Sequence, residues 1–448
     1  MRARAIHVAR PVLSPVMRYA AAGGIFFLVL FNVALISLDV ASIPIRSGLA
    51  LGLLAMLGFL RPEHFLDTIR RHWLVLALAG LLALLGTLVS LVNGADPAIV
   101  GRMLMEVHLQ ITVTLLLAAM LADLAGPRAA VLAICAAFAI SAVVAAIQFI
   151  GLDAGWNLRE ILGRLQGHKL HEDSSFLNRR PMGLSYSPIH LATQACLGFA
   201  AYGAWRLRLG GNGGGAAGQI DPVIIISLAV MATVAFFTAT RSPILGGAVF
   251  LAVYALRNGS AVTILSAAVL GVALVIAAPM ILDAMQGAEN RVFRVGDNSA
   301  SGRLPLVTFG LMLFQDNPLG YGFDFISHEH WAPYWQELYR FEGAGEVREA
   351  ELHNYLLNML TTYGITLLIA LPLVGRLLWR ARHVAIVFVP YAVHALFHNT
   401  GPFWNDILFW FVVGAISAMR PALEGDRMAS SPQRQVRPPR AFRPRRTA

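Results

Sequence analysis

Three arginines and one histidine stand where apolar stretches meet polar loops: Arg180, Arg241, Arg303 and His353. A guanidinium fork keeps its charge and matches phosphate oxygens two at a time. An imidazole titrates near pH 6.5 (about, when unperturbed), so it can take a proton from a hydroxyl. A pyrophosphate carried on a lipid presents two phosphate groups at headgroup depth, within reach of such arginines. Arg241 lies between Thr240 and Ser242, and Pro243 follows at a helix start, where backbone N–H donors add to the positive end. Arg180 ends Asn178-Arg179-Arg180; Pro181 then stops any helix, and Gly183 permits a tight turn. Arg303 follows Ser301-Gly302, and suits either phosphate binding or anchoring a loop to a helix end. His353-Asn354 opens a long apolar run; Asn354 can fix an imidazole or a substrate hydroxyl, and Glu349 and Glu351 are close enough to orient the ring. Taken singly, each arginine also reads as a side chain snorkelling to an interface, and His353 as an interfacial histidine with no task.

Other groups point less clearly. His394 and His398 are one helical turn apart, a possible metal pair, but no third ligand stands at a recognisable spacing, so they read as structural. His328-Glu329-His330 is not HExxH. Arg102 and Glu106 are spaced to pair on one helix, and Glu106, His108 and Gln110 must face the protein interior or a cavity. No D-x-D is present, which argues against a metal-bound nucleotide-sugar donor, and neither a metal nor a cofactor is expected. The glycines of 210–218 read as a linker; there is no GxxxxGK[ST] pattern, and the sole lysine is Lys169. Cys135 and Cys196 lie within apolar segments and read as small core residues.

These groups are set in a chain that is 57% hydrophobic and 13% charged, too little charge for a soluble surface. Apolar runs centred near 27, 53, 82, 112, 140, 197, 230, 249, 270, 364, 391 and 411 approach spanning length. In lipid such runs must be helices, which predicts an all-α polytopic membrane protein of about 12 transmembrane helices. The expected organisation is a cytoplasmic segment 1–18, a transmembrane domain 19–420 with periplasmic loops at 152–187 and 282–353, and a disordered basic tail 421–448. The first run reads as a retained helix rather than a cleaved signal. With a cytoplasmic N-terminus, the short loops bearing Arg61, Arg70, Arg71, Arg128, Arg206, Arg208, Arg257, Arg376, Arg380 and Arg382 fall on the positive-inside face. The net charge of +10 is concentrated in the tail, which suits anionic lipid headgroups; no nucleic-acid partner is expected. Trp331, Tyr334, Trp335 and Tyr339 are spaced as one helical face, which reads as an interfacial helix or as a lid.

Over most of its length, and most sharply from about 176 to 376, the chain resembles the O-antigen ligase and O-antigen polymerase superfamily, most closely the ligases. The likeness is carried by Arg180-Pro181-Met182-Gly183 before Tyr186-Ser187-Pro188-Ile189, by Thr240-Arg241-Ser242, by Gly302-Arg303, by Pro318-Leu319-Gly320-Tyr321-Gly322, and by His353-Asn354 with Gly364. Thr240 stands where the family commonly has serine, and Leu304-Pro305-Leu306-Val307 follows Gly-Arg where a tryptophan is often found. The resemblance implies a fold of the integral-membrane glycosyltransferase type (GT-C-like) in the bacterial inner membrane, with its site facing the periplasm. It implies a metal-independent, inverting transfer of a glycan from undecaprenyl pyrophosphate to a sugar hydroxyl of the lipid A core, a step of lipopolysaccharide biosynthesis. Arg180, Arg241 and Arg303 would hold the pyrophosphate, His353 would act as base, and Asn354, Ser242 and Gly302 would support them. A polymerase of the same superfamily is the first alternative. A lipid or polysaccharide transporter without covalent chemistry is the other; it would place paired ionisable residues at mid-membrane, whereas the notable groups here gather at one interface.

Overall fold

The structure is a computed structural model that describes residues 14–34, 39–40, 43–165, 174–210, 221–258, 302–382, 384–404 and 406–419. It is built of helices, apart from a pair of two-residue antiparallel strands, β1 (Asp39–Val40) and β2 (Ile43–Pro44). The helices of the first half are α1 (Pro15–Ala34), α2 (Ile45–Leu60), α3 (Pro62–Val92), α4 (Pro97–Met103), α5 (Gln110–Ala125), α6 (Pro127–Phe149) and α7 (Asp153–Leu165). A π-turn, Leu104–Leu109, joins α4 to α5. Then come α8 (Ser174–Leu177), α9 (Pro188–Gly210), α10 (Pro222–Phe237), α11 (Ser242–Asn258), α12 (Arg303–Asp316), α13 (Trp335–Leu338) and α14 (Glu346–Glu349). The last are α15 (Tyr355–Tyr363), α16 (Leu371–Ala381), α17 (Val389–Ala395) and α18 (Ile407–Ser417).

Among the described residues, 5 helical stretches are long and apolar enough to cross a membrane: Pro15–Ala34, Pro62–Val92, Pro97–Ala125, Pro127–Phe149 and Tyr355–Ala381. Shorter apolar helices add Ile45–Leu60, Pro222–Phe237, Ser242–Arg257, Ala385–Ala395 and Ile407–Ser417. Every apolar centre expected from the sequence falls in a helix except that at 270, which lies outside the described residues together with the 211–220 linker stretch and the tail from 420. The protein is therefore a helical, polytopic membrane protein. Helix starts follow local chemistry: Asp96, Asp221, Asn354 and Asp406 each accept a backbone N–H at the first turn, and Pro97 and Pro222 take the position where no donor is needed.

The core is centred on α5, which is buried on nearly every side and packs against α1, α2, α3 and α18. Small residues let the helices close. A side-chain carbon at Gly414 of α18 would sit 2.6 Å from the Ala118 side chain, and one at Gly246 of α11 would sit 2.6 Å from the Pro390 Cα of α17.

Polar contacts sort the helix ends into two sets. At one end lie Gln148 with Gly183, Arg180 with Thr238, Ser242 with His394, Arg303 with Phe397, Asn93 with Gly320 and Asn358 with Asn399. At the other lie His64 and Arg71 with Asp123, Arg206 with Asp221, and Arg257 with the Arg382 carbonyl. All four arginine and histidine positions singled out by sequence belong to the first end.

Candidate functional site

The Arg180 segment is held by one side chain from α6. Gln148 Oε1 accepts from the N–H groups of Met182 (2.9 Å) and Gly183 (2.8 Å), while its Nε2 donates to the carbonyls of Gly155 and Gly183. Gly183 has φ of 61°, and a side-chain carbon there would lie 2.3 Å from the Ser141 carbonyl oxygen, so no other residue fits. From this fixed turn the Arg180 Nη2 donates to the Thr238 carbonyl at 3.0 Å. Thr238 opens the turn that carries Arg241, so two of the three arginines are tied to one short segment. Arg179 (φ 47°) and Ala239 (φ 51°) are the non-glycine residues with left-handed backbone among those described, and each sits next to this linkage. Such conformations are costly and persist where the surroundings enforce them. Arg241 itself is exposed, at the start of α11.

The next residue, Ser242, is buried and meets a histidine pair. Its Oγ lies 2.8 Å from His394 Nδ1 and 3.5 Å from His398 Nε2; His394 Nε2 lies 3.0 Å from Thr193 Oγ1 of α9. The two imidazoles are 4.2 Å apart between centroids. The contact follows from the helix packing: Ser242 is one turn before Gly246, His394 is one turn after Pro390, and the glycine–proline approach brings α11 and α17 together.

Arg303 is the first residue of α12. Its Nη1 donates to the Phe397 carbonyl at 3.1 Å, and its guanidinium lies 5.0 Å from the centre of the Phe397 ring. The anchoring role considered for it is thus present, and it also places the cation beside His398 and His353. His353 sits in the bend before α15, with Nδ1 buried and without a hydrogen-bond partner among the described residues. Burial and the positive Arg303 hold its pKa below the ordinary histidine value, against the opposing pull of Glu351. The imidazole is therefore neutral at pH 7, the form that accepts a proton.

Two supporting roles read from sequence come out differently. Asn354 Oδ1 accepts from the Leu357 N–H at 3.1 Å, so this side chain caps α15 and fixes where His353 stands. The Glu351 carboxylate accepts from Asn399 Nδ2 at 2.8 Å, which ties the His353 loop to the segment after α17 rather than to the imidazole. Gly302 precedes Arg303, its carbonyl accepting from the Leu306 N–H at 3.2 Å; Ser301 lies outside the described residues. The Pro318–Gly322 element is a clamp. Tyr321 and Gly322 donate backbone hydrogen bonds to the Thr361 and Thr362 carbonyls, and Ile365 donates to the Pro318 carbonyl. Gly320 (φ 90°) and Gly364 (φ 58°) meet backbone to backbone, with no space for a side chain at either.

The four aromatics of the large loop lie on a short 3₁₀ and α turn, where the Trp331 and Trp335 rings meet at 5.5 Å. Tyr334 ends a 3₁₀ turn (Ala332–Tyr334), α13 starts at Trp335, and Arg348 lies 4.3 Å from the Trp331 ring and 3.6 Å from the Trp335 ring. Leu338 and Val347 pack on Leu306, Phe309 and Leu352, so this stretch is a small folded cap on α12 and α15.

Sequence reasoning missed the part played by His394 and His398. The sequence reads the pair as structural, and the structure shows what it joins: His394 bridges Ser242 and Thr193, and His398 lies 3.5 Å from Ser242. The signal was a histidine in a short proline-started helix and another just past its end, followed by Asn399-Thr400-Gly401.

A polytopic helical membrane protein that gathers arginines and a neutral histidine at one end of its bundle has the makings of a phosphate-handling site at an interface. Residues 226–372, about a third of the chain, match the family model described as O-antigen ligase. The match spans Arg241, Ser242, Gly302, Arg303, His353 and Asn354, and bears out the resemblance to the O-antigen ligase and polymerase superfamily. The chain matches no curated protein and no solved structure.

Proposed function

We propose that the protein is an O-antigen ligase: a glycosyltransferase that moves a glycan from undecaprenyl pyrophosphate to a sugar hydroxyl of the lipid A core at the periplasmic face of the inner membrane. The observation that carries this reading is the convergence of Arg303 and His353, from the starts of α12 and α15, at the end where Arg180 binds the turn of Arg241. His353 accepts the proton of the acceptor hydroxyl as that oxygen attacks the anomeric carbon. The bond from that carbon to the pyrophosphate oxygen breaks, and the configuration inverts. The negative charge that grows on the leaving pyrophosphate falls among the arginines, the electrostatic role such groups serve best. Asn354, through its cap, and Ser242, through the histidine pair, hold the frame.

The decisive experiment separates binding from transfer, with purified protein in lipid nanodiscs, a lipid-pyrophosphate-linked glycan and a lipid A core acceptor. His353→Ala should lower turnover by about 10²–10⁴-fold, the usual contribution of a positioned base, with donor binding largely kept. Unchanged transfer removes His353 from the mechanism. The glycan phenotype of a deletion distinguishes a polymerase: a core capped with one repeat indicates polymerase, and long unligated chains on the carrier indicate ligase. Orientation is tested by thiol labelling. Glu329 is exposed at the site end and Arg128 at the opposite end. An impermeant reagent on spheroplasts should label Glu329→Cys and spare Arg128→Cys; the reverse pattern overturns the periplasmic assignment.

A further inference from the structure

Thr193, Ser242 and the histidine pair form a buried chain whose hydrogens can be assigned. Thr193 Oγ1 lies 3.1 Å from the Ile189 carbonyl oxygen and 3.0 Å from His394 Nε2. Ser242 Oγ lies 2.8 Å from His394 Nδ1 and 3.5 Å from His398 Nε2. A carbonyl only accepts, so Ile189 takes the Thr193 hydrogen, and the Thr193 oxygen then accepts from His394 Nε2–H. His394 Nδ1 is left as an acceptor and takes the Ser242 hydrogen. The Ser242 oxygen in turn accepts from His398 Nε2–H, a weaker bond at that length. This direction satisfies every contact in the chain; the reverse sends the Thr193 hydrogen to His394 and gives up the bond to Ile189. Both rings are neutral. His394 is 1% exposed and has no carboxylate among its hydrogen-bond partners. Burial above all, with Arg303 adding to it, holds the His398 pKa well below the ordinary histidine value. A neutral imidazole has one hydrogen and one lone pair, so the atom left over at the end of the chain is the acceptor His398 Nδ1.

His398 is the member of the pair that stands at the site. Arg303 bonds the carbonyl of the preceding residue, Phe397, and both Arg303 and His353 are near enough to act on the charge of the His398 ring. His398 is 5% exposed, against 1% for His394, and its Nδ1 makes no hydrogen bond among the described residues. An acceptor nitrogen selects its partner by chemistry: an ionised pyrophosphate has no hydrogen to give it, whereas a sugar hydroxyl has. We propose that His398 is a further binding residue of the site, its Nδ1 held as a fixed acceptor for a sugar hydroxyl, with Ser242, His394 and Thr193 as positioning residues that lock this tautomer. The sugar rests on the transferase reading above; the tautomer does not.

The test is nitrogen NMR of the full-length protein in nanodiscs, isotopically labelled in histidine, with His398 assigned by the signals lost in His398→Gln and His398→Asn. His398 should be the neutral Nε2–H form; a hydrogen on Nδ1, or a mixture of the two forms, overturns the lock. Lipid A core oligosaccharide and the lipid-pyrophosphate-linked glycan are then added separately. One of them should shift the Nδ1 signal, and the one that does supplies the hydroxyl; no shift with either overturns the binding role. Kinetics add a second readout. Asn sets an amide oxygen near the place of Nδ1, whereas Gln sets its amide near that of Nε2. His398→Gln should raise KM for the glycan that shifts the signal by about 2–10-fold, the worth of one neutral hydrogen bond, with kcat nearly kept, and His398→Asn should restore most of the loss. Ser242→Ala should mix the two tautomers of His398 and raise the same KM. Melting curves show that each variant is folded, and equal losses of kcat in the Gln and Asn variants would mark a merely structural pair. The NMR readings need no turnover, so the two readings fail separately. A shifted His398 signal in a protein that transfers nothing sinks the transferase reading, while His353-dependent transfer with an unmoved His398 signal sinks this proposal alone.

Discussion

The buried carboxylate cluster at one end of the helical bundle and the arginine–histidine group at the other hold their cations differently. At the end away from the site, two carboxylates gather three of the cations, while Arg257 meets the Arg382 carbonyl and Arg128 a tryptophan ring. Asp123 takes His64 at 2.9 Å and Arg71 at 2.8 Å, and Asp221 takes Arg206 at 2.9 Å while its other oxygen caps α10. Of the candidate-site arginines, Arg180 meets the Thr238 carbonyl and Arg303 the carbonyl and ring of Phe397. A carbonyl fixes where a guanidinium points, whereas a carboxylate also offsets its charge. The carboxylate pairs tie helix to helix; the carbonyl contacts set the direction of a side chain.

That contrast is broken most directly at Arg241. Arg241→Ala should abolish transfer and weaken donor binding while the protein stays folded in the membrane, and Arg241→Lys should rescue poorly, because a point charge lacks the fork. Near-normal transfer in Arg241→Ala moves the phosphate role elsewhere.

The next effect is on pH dependence. Burial and Arg303 lower the His353 pKa, so the neutral base persists below the ordinary value of about 6.5, and the acid limb of kcat/KM should lie under that pH. The same shift makes protonation favour the unfolded chain, so stability too declines as pH falls from about 6.5 toward the lowered pKa. Arg303→Gln removes the neighbouring cation; whatever it does to the rate, it should move the acid limb upward. An acid limb that stays in place, or activity that rises in acid, would make His353 a hydrogen-bond donor to the pyrophosphate.

Adjacent glycines offer a sharper structural test. A side-chain carbon at Gly246 meets Pro390 backbone at 2.6 Å, whereas at Gly247 it meets the flexible Leu228 and Met231 side chains at 3.2 Å. Gly246→Ala should cost about 1–3 kcal/mol, as overpacking does, and should lower transfer by parting Ser242 from His394. Gly247→Ala should be mild in both. Melting temperature and transfer rate, measured for the pair, check this; equal effects would mean that the α11–α17 contact does not position the site.

How legible was this in the sequence? Apolar runs reveal helices because lipid allows little else, and Arg241, Arg303 and His353 could be found because each stands at a run's edge. Span length was less legible. The stretch from Tyr355 to Ala381 passes through a 3₁₀ segment at Gly364–Ala370, a break set by Gly364 meeting the Pro318–Gly320 backbone far away in sequence. The roles of Asn354 and Gln148 were hidden for the same reason: a cap and a side-chain clamp depend on which backbone arrives. His394 escaped because its partner, Ser242, comes from a helix distant in the chain.

The smallest effects belong at the opposite end, and they matter because they isolate the comparison. Arg206→Ala removes one partner of a partly exposed pair, worth about 0.2–1 kcal/mol. Asp221→Ala loses that pair and also the acceptor of the Val223 N–H at the start of α10, so it should cost about 1 kcal/mol more. Both substitutions lie across the bundle from His353, and each folded molecule should therefore transfer at the wild-type rate. Thermal melts should rank Asp221→Ala below Arg206→Ala, with transfer per folded protein equal in the two. If either variant lowers transfer as much as an arginine lost from the site end, the division of labour fails, and α10 must be carrying strain from Asp221 to the Thr238–Arg241 turn at its far end.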